Sequence, residues 1–500
     1  MIAGCLNCAA CAGDDAAPAR PDAGVKLEDA SAMQGRDASV SRDGTARVDA
    51  GETDAASVDA LDTGVAMDAL SDAFDAVAAS GPDATAWWPT DAAVPTDGAT
   101  STTYPAFLPS TPRIVNRGGP VITAPVFVPI VFPGDPYVTE INAFLAAVGP
   151  SEYWRQTTSE YGVGPATTVS ATVCPDISPD GGPALDECIA LTGLMPSDAG
   201  VGDAELRDAS DAGERSARQP IYIFFLPEAF QGTFFGEPLG CFGGAYGGIH
   251  SYETLSDGQM VVVAVVGRCP APNYPALSEL DFVTSLASHE MVEAATDPYP
   301  FVLTGYAGID DQHLDWWGPN FGASDDDLGD MCEVLRGANP PYIHPAEPAL
   351  SSFSVQRTWS NAAFAAGHDP CVPQFPGEVY VNAMAVTPDA IDRSVAGFGF
   401  YPYVGSMPAV RVPVGGQATV DLALYADGNP GAPWAVTASG SSVGLTVNPP
   451  TGQNGDILKL TISVPEGAPA GWQVVTVESG APAALDAGDY NGWYFDLLIY

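Results

Sequence analysis

The chain has 500 residues, more than one compact core accommodates, so its length predicts two folded domains and a tail. It carries 62 acidic and 17 basic residues, giving a formal net charge of −45. A surface of that charge repels the phosphates of nucleic acids, which excludes them as partners. No run of 18 or more apolar residues occurs, so no membrane-spanning helix is expected. Nothing in these numbers indicates an oligomer.

The first five residues, Met1 to Cys5, match the end of a bacterial lipoprotein signal, in which small residues and a glycine precede a cysteine. The charged and apolar segments that normally come first do not precede it, so we expect the natural chain to begin further upstream. Chance is the alternative, because four permissive positions match often and Cys8 and Cys11 lie close by. A lipid on Cys5 is the only membrane attachment that the sequence suggests.

Residues 14–104 are rich in Asp, Ala, Ser, Thr and Gly, and their apolar residues are small and lack a helical period. Such a segment cannot bury enough apolar surface to offset the entropy lost on ordering. We therefore predict that residues 1–104 form a lipobox-like start followed by a disordered stalk.

Folded structure is predicted from residue 105 onward. Residues 121–132 form an apolar, β-branched run between turn signals, which predicts a strand. Pro125 and Pro129 lie inside this run and favour either an edge position or a break, because proline cannot donate to a strand ladder.

Further segments of residues 105–373 have a strand or helix pattern. The acidic, Pro- and Gly-rich stretch 174–219 predicts a surface insertion. Apolar spacing predicts one helix and two strands, at 139–148, 221–226 and 261–266 respectively. We therefore predict an α+β central domain with a mixed sheet.

Six cysteines lie in the folded part, and none forms the CxxC pair typical of zinc knuckles or redox motifs. An even number of scattered cysteines is typical of disulfides formed in an oxidising compartment. Six cysteines allow 15 connectivities. Pairing of nearest neighbours predicts the bonds 174–188, 241–269 and 332–371.

Residues 374–500 differ in kind from the central part. Apolar residues alternate with polar ones in several short runs separated by Gly, Pro and Asn turn signals, around residues 420–424, 458–464 and 475–477. This pattern predicts an all-β, immunoglobulin-like sandwich. No His or Cys follows Cys371, so we expect this domain to be a spacer or adhesive module rather than a catalytic one.

One helix carries most of the chemistry. Ser278 and Asp281 have the spacing of a capping box, which predicts that a helix begins there. Pro298 cannot continue a helix and disfavours helical backbone at Asp297, so the helix should end near Thr296.

The same helix presents the sequence His289-Glu290-Met291-Val292-Glu293. His289 and Glu293 are one turn apart on an apolar stripe, and a buried carboxylate there needs a metal or strong hydrogen bonds. Glu290 is then placed to activate a metal-bound water, as in the His-Glu-x-x-His helix of zinc proteases. The alternative is a plain His–Glu hydrogen bond along the helix with Glu290 in solvent.

An ordered series of motifs resembles the EXORDIUM/phosphate-induced protein family of plant extracellular proteins and their bacterial relatives. The resemblance covers about residues 112–373. The motifs are Gly118-Gly119-Pro120-Val121, Phe144-Leu145, Tyr153-Trp154, Cys241 through Gly248-Ile249-His250, Ser288 to Glu293 with Thr296-Asp297-Pro298, Leu328-Gly329-Asp330-Met331-Cys332, and Trp359 before Cys371. The chain departs from the family at Asp327, where a Glu is usual, and in its insertion, tail and C-terminal domain.

Position within these motifs suggests further ligands. Asp330 lies beside Cys332, whose disulfide would hold it rigid, and it is our preferred third ligand. His250 follows a Gly-rich loop and is either a ligand, a transition-state donor or a loop histidine with no role. Three other histidines are expected to be incidental surface residues: His313, His344 and His368. The acidic run 325–327 lacks the spacing of a calcium-binding loop, so we expect it to be solvated rather than to bind Ca²⁺.

Three hypotheses follow for this chain, which we expect to be extracellular or in the outer cell envelope. The first is a zincin-like, zinc-dependent hydrolase related to metallopeptidases, acting on an unknown polypeptide or cell-wall substrate. In it, His289, Glu293, Asp330 and His250 are the metal-ligand candidates and Glu290 is the catalytic residue. The second is a non-catalytic surface module that binds glycan or protein. The third is a purely structural envelope protein.

Overall fold

The computed structural model describes most of the chain beyond residue 98. The described residues are 99–175, 185–194, 219–228, 230, 232–234, 237–239, 247–268, 277–300, 302–316, 327–334, 342–395, 403–486, 488 and 490–500. The predicted lipobox and most of the predicted stalk therefore lie outside the described residues. The regular structure within them is mostly β-sheet with a few helices.

The central part, up to residue 373, contains short strands and six helices within its described residues. In chain order the strands are β1 (Ile114–Asn116), β2 (Pro125–Val131), β3 (Thr167–Thr168), β4 (Thr172–Val173), β5 (Gln219–Phe225), β6 (Gly232–Phe234), β7 (Glu237–Leu239), β8 (Gly248–Thr254), β9 (Met260–Val266), β10 (Tyr306–Ile309), β11 (Tyr342–Ile343), β12 (Val355–Gln356), β13 (Thr358–Trp359) and β14 (Cys371–Val372). The helices are α1 (Val138–Val148), α2 (Glu152–Thr158), α3 (Leu185–Leu191), α4 (Glu279–Thr296), α5 (Asp330–Val334) and α6 (Asn361–Ala365), with a 3₁₀ turn at Ser159–Tyr161.

The main sheet of this part has the order β3-β2-β5-β9-β8, with β4 also pairing with β2. All pairings are parallel except that of β8, which runs antiparallel to β9 at one edge. Alternate residues of β2 and β5 enter two different hydrophobic cores, one on each face of the sheet. Burial on both faces explains why these strands are continuously apolar rather than alternating. The predicted helix and strands at 139–148, 221–226 and 261–266 are confirmed.

The strand β2 lies inside the sheet, so the edge position that its prolines suggested is wrong. The alternative, a break in the strand, is wrong as well, because β2 pairs with β5 without interruption from Pro125 to Ile130. Pro125 is the first residue of the strand, and Pro129 falls between the short pairings of β2 with β3 and with β4. At both positions a missing N–H leaves the ladder intact.

Two of the three predicted disulfides are confirmed, Cys174–Cys188 and Cys332–Cys371. The predicted bond between Cys241 and Cys269 lies outside the described residues. The Cys174–Cys188 bond joins β4 to α3 at the start of the predicted insertion, most of which is not described either.

The C-terminal part forms a β-sandwich, as its alternating pattern predicted. Its elements are β15 (Val381–Val386), β16 (Asp389–Val395), β17 (Tyr403–Val412), β18 (Gln417–Ala426), β19 (Trp434–Ser439), β20 (Gly444–Asn448), β21 (Thr451–Gly452), β22 (Ile457–Ser463), β23 (Gly471–Gly480), α7 (Pro482–Asp486) and β24 (Asn491–Ile499). One sheet has the order β15-β18-β22-β20 and the other β16-β17-β24-β23-β19-β21. Their inner residues, such as Leu422, Leu460 and Val477, are fully buried between the sheets.

The sandwich and the central part share one hydrophobic core. Trp316 lies edge-on to Trp493 and Tyr494, with ring centroids 5.2 and 5.0 Å apart. Phe107 packs in the same way on Tyr425. The domain boundaries expected near residues 104 and 373 stay predictions. None of the described helices combines the length and apolar content that crossing a membrane requires.

Candidate metal site

The helix α4 begins and ends where its sequence predicted. Ser278 is the N-cap, and its side-chain oxygen accepts a hydrogen bond from the backbone N–H of Asp281 at 3.1 Å. The helix ends at Thr296, one residue before Asp297 and two before Pro298. From Phe282 onward nearly all of its residues are buried, because the helix lies between the main sheet and β12.

Three ionisable residues of this helix are buried together. His289 is 6% exposed, Glu290 3% and Glu293 2%, so the predicted solvated alternative for Glu290 is wrong. The Nε2 atom of His289 lies 3.1 Å from Oε2 of Glu293, one helical turn on. It lies 4.0 Å from Oε1 of Glu290.

A second histidine reaches the same carboxylate oxygen from the edge strand of the sheet. His250 lies on β8, opposite Ala264 of β9, and its Nδ1 atom is 3.2 Å from Oε2 of Glu293. One carboxylate oxygen therefore faces ring nitrogens of two histidines that are 39 residues apart in sequence and lie on different elements. The structure thus brings His250 into the site.

The other oxygen of Glu293 is held by the turn that precedes α5. The backbone N–H groups of Gly329 and Asp330 donate to Oε1 at 3.1 and 3.3 Å. Only glycine fits at 329, because a Cβ there would lie 2.5 Å from Nδ1 of His289 and 2.7 Å from Oε1 of Glu293. These bonds fix the rotation of the carboxylate and leave Oε2 facing the two histidines.

Three contacts tie this turn and α5 to the strands β12, β13 and β14. The backbone N–H of Trp359 donates to the carbonyl of Leu328 at 2.8 Å. The side chain of Gln356 donates to the carbonyl of Gly329 at 2.9 Å. The disulfide Cys332–Cys371 ties α5 to β14.

Two aspartates flank the turn. Asp330, the predicted third ligand, has its Oδ1 atom 3.4 Å from Nε2 of His289, and its side chain is 21% exposed. Asp327 is buried, with Oδ2 3.6 Å from Nε2 of His250. The prediction of a solvated acidic loop is therefore wrong for Asp327, while Asp325 and Asp326 lie outside the described residues.

Glu290 lies against the backbone of the edge strand. A Cβ on Gly248 would be 2.4 Å from Oε1 of Glu290, so a side chain at 248 would displace this carboxylate. Two glycines, one on the strand and one on the turn, thus allow the backbone to approach the acidic residues of the helix closely.

The charges of the site stabilise one another. Burial opposes a charge on His289, but Glu293, Glu290 and Asp330 outweigh it and hold the pKa of His289 well above its ordinary value. Burial likewise opposes ionisation of Glu293, but His289 and His250 outweigh it and hold the pKa of Glu293 well below its usual range. Burial raises the pKa of Asp297, whose carboxylate accepts a hydrogen bond from the Gly305 N–H at 2.6 Å.

Among the described residues, two overlapping groups have ligand atoms close enough to hold an ion, and both contain Glu293. One adds His289 and Glu290, the other His250 and Asp327. Ligands of a tetrahedral zinc ion at about 2.0–2.1 Å are about 3.3 Å apart. The contacts of Glu293 Oε2 with the two histidines and of His289 with Asp330 are of this size. Asp330 belongs to neither group.

The remaining histidines lie away from the site. His344 and His368 are exposed, as predicted. His313 is buried and its Nδ1 contacts Oδ1 of Asp310 at 2.8 Å, so its predicted surface position is wrong. Sequence reasoning also gave no role to Asp327 or Asp297. The only indication for Asp297 in the sequence was its position in the motif Thr296-Asp297-Pro298 at the end of the helix.

No family model and no curated protein matches this chain. Solved structures that resemble parts of it include WR4, a C. elegans MSP family member, with 18% identity over 19% of this chain and 93% of that chain and a TM-score of 0.15. Domains 4 and 5 of the S-layer protein SbsC match with 12% identity over 29% of this chain and 90% of that chain and a TM-score of 0.14. Scores this low carry no inference about fold or function. The resemblance to the EXORDIUM family stays a prediction.

Proposed function

We propose that this chain is a zinc-dependent hydrolase related to metallopeptidases. The observation that supports this most strongly is the position of Glu293 Oε2, which faces Nε2 of His289 and Nδ1 of His250 at 3.1 and 3.2 Å. Backbone N–H groups hold the other oxygen of the same carboxylate. The arrangement therefore presents one imidazole nitrogen from each of two elements to the same carboxylate oxygen, with the carboxylate already oriented.

The donor set fits zinc by its chemistry. Two imidazole nitrogens and one carboxylate oxygen form a mixed N/O set, and three protein ligands with an open position are typical of catalytic zinc sites. When bound, zinc lowers the pKa of a coordinated water and polarises a carbonyl. Asp330, at 3.4 Å from His289, remains a candidate further ligand at the more exposed side.

Residues around the donor atoms would have the remaining roles in hydrolysis. Glu290 has its carboxylate beside the donor cluster, between His289 and the backbone of Gly248, where it would accept the proton of the attacking water. The turn at Gly329 holds Glu293 in place. We propose on this basis a zincin-like arrangement, in which helix α4 carries Glu290, His289 and Glu293 and packs against the sheet whose antiparallel edge strand is β8.

The net charge and the disulfides support a class of substrate and a location for the protein. A net charge of −45 favours neutral or basic substrates over acidic ones, so a polypeptide or cell-wall peptide is the expected class. The two disulfides are typical of an oxidising compartment, which supports an extracellular or outer-envelope location. The C-terminal sandwich, which we propose to be immunoglobulin-like, would act as a spacer or adhesive module.

The metal is tested by elemental analysis of protein purified without chelator. We expect one zinc per chain in the wild type and in His344→Ala, whose exposed histidine lies outside the site. We expect none in His289→Ala. Absence of zinc from the wild type, or equal zinc in His289→Ala, would leave the proposal without support.

Catalysis is tested separately with Glu290→Gln. This variant keeps the shape of the side chain and removes the proton acceptor, so we expect full zinc content and loss of peptide hydrolysis by at least about 100-fold. Hydrolysis of a mixed peptide library, followed by mass spectrometry, measures the loss. Unchanged turnover in Glu290→Gln would show that another group accepts the proton.

A non-catalytic surface module that binds glycan or protein is the second candidate. The mutual stabilisation of His289, His250 and Glu293 favours it, because the buried charges of these residues already compensate one another. This candidate predicts that Glu290→Gln binds its target as the wild type does, and that neither protein hydrolyses the peptide library.

A further inference from the structure

The two ring nitrogens of His250 face two different carboxylates. Nδ1 lies 3.2 Å from Oε2 of Glu293, and Nε2 lies 3.6 Å from Oδ2 of Asp327. The side chains of His250 and Asp327 are 8% and 7% exposed, so water competes little for either contact. The histidine is thus placed between the carboxylates of Glu293 and Asp327.

The position of Glu293 decides which nitrogen of His250 can bind an ion. Because Nδ1 is the ring nitrogen that faces Glu293 Oε2, an ion bound by both Glu293 and His250 must use Nδ1 of His250. A neutral imidazole that binds through one nitrogen carries its proton on the other. That proton then lies on Nε2 and points to Asp327.

We propose that Asp327 is a positioning residue for the metal site: it accepts the Nε2 proton of His250 and so presents Nδ1 to the ion. The proposal rests on the metal site proposed above. A metal-binding histidine usually donates its other N–H to a carboxylate or carbonyl, and this partner fixes the tautomer and orientation of the ring. A shift of about half an ångström brings the 3.6 Å contact to hydrogen-bond length.

The ring of His250 needs such a partner. Its backbone is fixed by pairing with Ala264 in the sheet, but the terminal torsion of a histidine has two broad preferred states that exchange the positions of the ring atoms. A carboxylate on the far side favours the state in which a protonated nitrogen faces it. Asp327 therefore selects the orientation that leaves Nδ1 beside Glu293.

The turn that carries Asp327 is itself fixed. The Asp327 carbonyl accepts a hydrogen bond from the Met331 N–H at 3.2 Å, and the next residue, Leu328, is bound by Trp359 at 2.8 Å. The same turn supplies the N–H groups that orient Glu293. One turn thus orients two ligands from different elements, each through the atom that does not bind the ion.

Zinc affinity, measured by competition with a chromophoric chelator, tests the proposal on the full chain. We expect Asp327→Asn to bind one zinc per chain with 10- to 100-fold lower affinity than the wild type, the loss typical of removing such a partner. The visible absorption of the cobalt-substituted protein should also change, since a reoriented His250 alters the ligand geometry. Asp310→Asn is the matched control, because it removes the carboxylate of another, partly buried His–Asp pair, that of His313, and should leave affinity and spectrum unchanged.

The possible failures are distinct. Wild-type protein that binds no zinc or cobalt removes the proposed function and this inference with it. Wild-type protein that binds one ion, with equal affinity and spectrum in Asp327→Asn, overturns the inference alone. Two ions per chain, one of them lost in Asp327→Asn, would make Asp327 a ligand and overturn its positioning role. If Asp327→Asn does not fold, Asp327→Ser removes the same carboxylate, and the same outcomes apply.

Discussion

The central part and the sandwich bury polar groups in different ways. The sandwich buries Asn454, whose side chain exchanges hydrogen bonds with the backbone of residues 101, 103, 106 and 426. In the central part, buried polar groups concentrate on α4 and its neighbours, where ionisable side chains contact one another. A neutral amide that joins backbone segments has an evident structural role. A cluster of buried acids and histidines lowers the stability of a fold unless it serves another purpose, and this difference locates the site.

Removal of Glu293 should have the largest effect. Glu293→Ala leaves His289 and His250 buried without the carboxylate that faces both, so we expect a loss of about 3–5 kcal/mol in the free energy of unfolding, with chelator present. Glu478→Ala is the counterpart in the sandwich. Its carboxylate accepts exposed hydrogen bonds from Thr437 and Ser439, so we expect a change below about 1 kcal/mol. Denaturant unfolding measures both. Similar losses would show that the buried cluster around Glu293 matters no more to stability than an exposed carboxylate of the sandwich.

Replacing one glycine by alanine in each region gives a finer comparison of the two regions. Gly329→Ala places a Cβ 2.5 Å from His289, so we expect destabilisation by about 1–3 kcal/mol and weaker zinc binding. Gly467→Ala, on a sandwich loop, meets nothing within 4 Å and should have little effect on either quantity. Thermal unfolding and chelator competition test this pair of variants. Normal zinc binding by Gly329→Ala would mean that the turn need not approach the helix so closely.

The smallest expected effect concerns the seam between the two regions. Asp315 is fully buried beside Trp316, and burial, together with the negative charge of Asp496, holds the pKa of Asp315 well above its ordinary value of 3.8. The folded state therefore keeps a proton that the unfolded chain releases. The contribution of Asp315 to stability is full below pH 3.8 and is lost as pH rises through its folded pKa.

Asp315→Asn should remove this dependence on pH. With chelator present, we expect its melting temperature to gain on that of the wild type as pH rises from about 4, while the exposed Asp389→Asn tracks the wild type. A constant difference between Asp315→Asn and the wild type across this range would show that Asp315 ionises alike in both states.

Much of this architecture follows from local sequence. The bounds of α4 follow from a cap and a proline, and the sandwich strands follow from alternation. Nearest-neighbour cysteines gave both described disulfides. These features depend on residues close together in the chain, so the sequence carries them directly.

The features that could not be predicted from the sequence depend on contacts between residues far apart in the chain. Asp327 stands in an acidic run that looks solvated, and only the fold places it beside His250, 77 residues earlier. The internal position of β2 also escaped prediction, because Pro125 begins the strand and Pro129 coincides with the gap between β3 and β4. Gly329 stood in one of the quoted motifs, but its role could not be predicted, because that role depends on the side chains of His289 and Glu293 that it leaves room for.

The disulfide Cys332–Cys371 closes a covalent ring with a sequence separation of 39 residues. Gln356 and Trp359, which bind the turn at 328–329, both lie inside this ring, and the turn comes just before Cys332, where the ring begins. Closing a loop of this length lowers the entropy of the unfolded chain by an amount worth about 4 kcal/mol. The cross-link therefore keeps the turn and its two anchors near one another in the unfolded chain as well, so that oxidation of one cysteine pair shortens the search by which the ligand set is assembled.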